Sequence, residues 1–87
     1  MDAKSEIEEK LKQIVAGVLN LPLGSVNDNL SRESNPTWDS FNNLMLFSTI
    51  EKEMGLSFNL EELEQIINFK DLCKIVYYKK NETPQSS

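Results

Sequence analysis

Apolar residues in this chain recur at helical intervals and no stretch carries a strand signal, so the fold has to be built by stacking helices. Ile7, Leu11, Ile14, Val15, Val18 and Leu19 mark one amphipathic stripe. Ser5 stands three residues before Glu8, the spacing of a capping box that would open this helix, and Asn20 with Pro22 closes it. From Leu21 to Trp38 the chain is rich in Asn, Ser, Asp, Gly and Pro, which predicts a long loop with Leu21, Leu23, Val26 and Leu30 plugging it onto the core. A second helix is predicted from Asp39 or Ser40, with Phe41, Leu44, Phe47, Ile50 and Met54 on one face. Gly55 stops it, and Leu56 can then fold back on Ile50. Asn59 and Glu62 predict a capped short helix from Leu60 to Gln65, stapled by Phe58 and Leu63. Asn68 and Asp71 repeat the device for a last helix, with Ile67 stapled on Leu72 and a buried face through Phe69, Leu72, Cys73 and Val76. The expectation is a small all-α four-helix bundle, three longer helices and one short, forming a single domain over residues 1–78. Residues 79–87 read as a polar, disordered tail with nothing to bury.

The 87 residues, at about 100–200 per domain, allow one domain. Apolar residues make up 39% and charged residues 26%, enough for one compact core. Fourteen acids against nine bases leave a net charge of -5, which argues against nucleic acid or an anionic membrane as the main ligand. No apolar run approaches the about 20 residues of a membrane span, and Asp2, Lys4 and Glu6 stand where a secretory signal would be apolar. A soluble, monomeric, cytoplasmic protein is expected. Histidine is absent and Cys73 is the only cysteine, which removes the commonest general base, the Ser-His and Cys-His pairs, an internal disulfide and a soft-ligand zinc site. The chain is therefore expected not to be an enzyme and to hold no metal.

One local constellation stands out, Trp38-Asp39-Ser40-Phe41, a serine at the first turn of a helix directly after a long polar loop. A helix start exposes unpaired N–H groups and a partial positive charge, so a phosphate esterified to Ser40 would sit where anions are stabilised. On these four residues alone, a helix cap at Asp39 and a small first-turn residue at Ser40 explain the pattern with no chemistry at all.

The longer run from Asp39 to Val76 resembles the acyl carrier protein family. The family's Asp-Ser-Leu signature stands here as Asp39-Ser40-Phe41, the family-like stretch continues from Leu44 as LMLFSTIEKEMGLSFNLEELEQIINFKDL, and the resemblance covers residues 6 to 78. It implies a bundle of three longer helices and one short one, the order already reached from the apolar spacing. It further implies that Ser40 takes 4'-phosphopantetheine from coenzyme A through a phosphopantetheinyl transferase, and that Asp39 positions the serine. Acyl groups would ride as thioesters on the arm's thiol. An acyl-activating ligase, acyltransferase or ketosynthase would load or use them in a polyketide, lipid or saccharide-acylation pathway. An aminoacyl cargo, with Asp-Ser-Phe reminiscent of D-alanyl carriers, or an unmodified interaction subunit of the same fold are the alternatives.

The departures bear on partners. Fatty-acid-synthesis carriers have a strongly acidic second helix, whereas this chain has Asn42, Asn43 and Met45 after the serine, with Phe41 for the usual leucine and Trp38 before the aspartate. Trp38, Phe41, Asn42, Asn43 and Met45 are accordingly the expected partner face, and a dedicated pathway is expected over housekeeping synthesis. Cys73, on an apolar stripe, reads as an inert structural thiol. Glu61, Glu62 and Glu64 read as a solvated face at a helix start, and Tyr77 and Tyr78 as a core edge.

Overall fold

The computed structural model describes residues 3–82. Four helices form in the expected order: α1 (Ala3–Leu19), α2 (Ser40–Met54), the short α3 (Leu60–Gln65) and α4 (Phe69–Glu82), with a single 3₁₀ turn at Leu23–Ser25. The protein is a small all-α bundle in which α1 is the element against which both α2 and α4 pack. Among the described residues no helix is long and apolar enough to cross a membrane.

The core is one cluster. Leu11, Val15 and Leu19 of α1 meet Leu46, Phe47, Ile50 and Met54 of α2 and Phe69, Leu72 and Val76 of α4, with Ile66 from the α3–α4 connection. Phe47 and Phe58 stack edge to face at 5.1 Å. No polar or charged side chain among the described residues is fully buried.

The stops and caps follow local chemistry. Asn20 takes a left-handed φ of 59° and Leu21 donates its N–H to the Ala16 carbonyl at 2.9 Å, closing α1 with the loop geometry that asparagine tolerates. Gly55 does the same for α2 at φ 68°. Asn59 and Glu62 form the full capping box of α3, each side chain accepting the other's backbone N–H at 2.8 and 3.0 Å. The Asn68 side chain accepts the Asp71 N–H at 2.8 Å at the start of α4.

Several expectations are corrected. α1 is already helical at Ala3, so Ser5 lies inside its first turn and is not the cap residue of a Ser5–Glu8 box. Leu44 is 65% exposed while Leu46 is fully buried, so the core face of α2 is rotated from the one read off the sequence. In the long loop Val26 and Leu30 are buried as expected, but Leu23 is exposed. Ile67 is also exposed, and its backbone is bonded on both sides, N–H to Asp71 Oδ2 at 3.4 Å and carbonyl to the Arg32 N–H at 3.0 Å. Finally, α4 runs through Glu82, so Lys79 and Lys80 belong to the fold and not to a tail beginning at residue 79. Lys79 Nζ bonds both carboxylate oxygens of Glu62 at 2.8 and 3.0 Å, and Lys80 Nζ donates to the Met54 carbonyl at 2.8 Å, satisfying a free acceptor at the end of α2. The rest of the expected tail, residues 83–87, lies outside the described residues.

The long loop is anchored at its middle and at its C-terminal end. Arg32 N–H to the Ile67 carbonyl and Phe69 N–H to the Leu30 carbonyl, at 3.0 and 2.8 Å, tie its middle to the α3–α4 connection. Trp38 ties its end to the core, and that fixes the start of α2.

Candidate functional site

The start of α2 is assembled from six consecutive residues, Trp38 to Asn43, and the upstream carbonyl of Thr37. Trp38 is only 2% exposed, so its indole is a core wedge and not part of an outward partner face. Burying an indole requires a partner for its N–H, and Trp38 Nε1 donates to Asn43 Oδ1 at 2.8 Å. Asn42 Nδ2 donates to the Thr37 carbonyl at 2.8 Å. Both amides expected to face a partner are thus half-buried and spent on holding the loop against the helix. This correction has a simple cause: Asn43 falls on the same arc of α2 as Phe47 and Ile50, and a polar group there is stable only when bonded.

Asp39 caps α2. Its Oδ1 accepts the Asn42 N–H at 2.9 Å and its backbone carbonyl accepts the Asn43 N–H at 2.8 Å. Ser40 is therefore the first residue of a fifteen-residue helix, exposed, between a buried tryptophan and a paired asparagine that fix its backbone. The N–H groups of Ser40 and Phe41 have no intrahelical acceptor by geometry, and no acidic residue lies in the first turn of α2. An anion on Ser40 Oγ would lie beside two free donors and the positive end of the helix dipole, worth about 0.3–1 kcal/mol at an exposed position.

Next to the serine the helix is apolar and open to solvent. Phe41 is 69% and Met45 47% exposed, and with Leu44 they cover the outward arc of the first turn and a half. Phe41 and Met45 are exposed, as expected of a partner face, but Phe41 and Leu44 do not share the face of Phe47, Ile50 and Met54 on which the apolar spacing puts them.

Elsewhere the chemistry is sparse. Among the described residues no group of three or more His, Cys, Asp or Glu is placed to hold a metal ion. A cleft of about 400 Å³ lies between α1 and α4, with Ile7 and Glu8 on one wall and Cys73 and Tyr77 on the other; Ser40 does not line it. Burial, with smaller contributions from the carboxylates of Glu8 and Asp28, pushes the Cys73 thiol up to about 12, so it is protonated and unreactive at neutral pH. On α3, Glu62 is held below the usual carboxylate range first by its hydrogen bond from Lys79 and then by the Asn59 N–H. Its acidity is thus spent on structure. Tyr77 is half-buried and Tyr78 exposed.

A scan of the chain against protein-family models finds no match, and a search of curated proteins finds none either.

Proposed function

We propose that this chain is a carrier protein without catalytic activity of its own, whose Ser40 receives 4'-phosphopantetheine and whose arm carries acyl groups as thioesters to partner enzymes. In the priming step Ser40 Oγ attacks the pyrophosphate of coenzyme A. The Oγ–P bond forms as the bond to the adenosine-side phosphate breaks, adenosine bisphosphate leaves, and the transferase takes the hydroxyl proton. The chain's own residues bind and orient. Trp38 and Asn43 hold the loop, Asp39 caps the helix without blocking the serine, and the N–H groups of Ser40 and Phe41 would be the donors that hold the phosphodiester.

The observation that carries this reading is the exposed Ser40 in the Asp39-Ser40-Phe41 sequence, at the first turn of the second helix of a four-helix bundle. The donors beside it suit a phosphodiester, and the lack of histidine suits a domain that leaves catalysis to others. In this reading the chain acts as a cytoplasmic monomer. Its partners are a phosphopantetheinyl transferase and an acyl-activating ligase, acyltransferase or ketosynthase of a polyketide, lipid or saccharide-acylation pathway. A fluorescent coenzyme A conjugate with a broad-specificity phosphopantetheinyl transferase tests it: label is expected on the wild type and none on Ser40→Ala. An unlabelled wild type would turn the reading toward an unmodified interaction subunit, for which the exposed Phe41, Leu44 and Met45 are the specific support. Loading of the primed protein by an amino-acid-activating ligase in place of an acyl-activating one would make it an aminoacyl carrier.

A further inference from the structure

We infer that the outward face of α2 formed by Phe41, Leu44 and Met45 docks the enzymes that use Ser40 through an uncharged, apolar recess on the partner, and not through a basic patch. The inference rests on the carrier reading, because it is the chemistry at Ser40 that brings an enzyme over these three residues.

Single exposed apolar residues carry little meaning, but these three are contiguous on the helix surface and adjoin the reactive serine. Charge decides what kind of partner they fit. α2 contains two carboxylates, Glu51 and Glu53, and both lie beside the outward arc and not on it. Glu51 Oε2 accepts the Phe58 N–H at 2.8 Å, and Glu53 lies 3.8 Å from Lys10 Nζ of α1. The outward arc itself runs Phe41, Leu44, Met45 and Ser48 to Lys52, so the formal charge it offers beyond the Asp39 cap is a single positive one at its far end. A partner lined with Lys and Arg would find no complement there, whereas an uncharged recess would cover Phe41, Leu44 and Met45 with no charge left desolvated. Phe41 and Met45 supply the aromatic and adaptable contacts that dominate such interfaces.

The test uses the priming reaction itself, with a broad-specificity phosphopantetheinyl transferase and coenzyme A as the probe. KM for the wild-type protein is measured from about 0.05 to about 0.5 M salt, a range over which the Debye length contracts about threefold. It is then measured for a Leu44→Ser, Met45→Ser double variant and for Leu60→Ser, whose leucine is exposed on α3 and serves as the control. The expected result is a KM that changes little with salt, rises about tenfold in the double variant, and is unchanged in the control. A KM that climbs steeply with salt, or a double variant that primes like the wild type, would overturn the inference and leave the carrier reading standing. A wild type that takes no group at all would overturn both. Helical circular dichroism and Trp38 emission check that each variant is folded. Should the double variant fail that check, Met45→Gln replaces it, with a raised KM expected and an unchanged one counting against the docking face.

Discussion

Leu44 and Leu46 are the same residue type two positions apart on α2, and the structure assigns them opposite roles. Leu46 has no exposed surface and Leu44 has 65%. Truncating each to alanine removes the same atoms, so the difference in stability isolates the helix phase. For Leu46→Ala the lost transfer energy and the cavity left in the core cluster together cost about 2–5 kcal/mol. For Leu44→Ala little buried area is lost, and the better helix propensity of alanine offsets it, so the change stays within about 0.5 kcal/mol. A chain of this length has a total stability of about 4–13 kcal/mol, so the first variant loses a large share of it and the second is indistinguishable from the parent. Urea titration followed by circular dichroism and by Trp38, the only tryptophan, gives both numbers. With a slope of about 1 kcal/mol per molar urea, the Leu46→Ala midpoint falls by 2 M or more. Equal losses in the two variants, or a larger loss at Leu44, would refute the assigned face of α2 and with it the exposed patch beside Ser40.

Trp38→Phe keeps an aromatic wedge but removes the donor to Asn43 Oδ1; a loss of about 1–2 kcal/mol is expected, read as a lower urea midpoint by circular dichroism. Glu62 has its acidity raised by Lys79 and Asn59 in the folded state, so its contribution is complete above its unfolded value and is lost as pH falls through the lowered folded one. The melting-temperature gap between wild type and Lys79→Met is therefore expected to be widest near neutral pH and to close in acid below 4.5; a gap independent of pH would contradict the Glu62–Lys79 pairing. Cys73 is expected to resist iodoacetamide at pH 8 in the folded protein and to react at an ordinary thiol rate in urea, and equal rates would contradict its burial.

What the amino-acid sequence reveals and what it hides divide along one physical line. Caps and stops at Asp39, Gly55, Asn59 and Asn68 are local bonds between a side chain and the backbone a few residues away, so their residue types announce them. Ser40 is legible for the same reason. The phase of α2 is not, because Leu44, Met45, Leu46 and Phe47 are four apolar residues in a row and cover most of the helix circumference. Only the company of Asn43, whose amide is held by a tryptophan from the preceding loop, fixes which side turns inward. Trp38 itself sits among turn residues where no period exists to mark it as core. The same holds for the loop's pairing with the α3–α4 connection, which joins Leu30 to Phe69. Lys79 and Lys80 read as a solvated tail because charge is the only thing visible in sequence, while their partners, Glu62 and the Met54 carbonyl, lie 17 and 26 residues away.

The central claim is that Ser40 Oγ is the attachment point of a phosphopantetheine arm. Intact-mass analysis of the purified protein before and after incubation with coenzyme A and a broad-specificity phosphopantetheinyl transferase tests it most directly. The expected result is a gain of one phosphopantetheine mass on the wild type, mapped by peptide fragmentation to Ser40, with Ser40→Ala folded and unmodified. No gain on a folded wild-type protein, or a gain mapped to another serine, would contradict the claim.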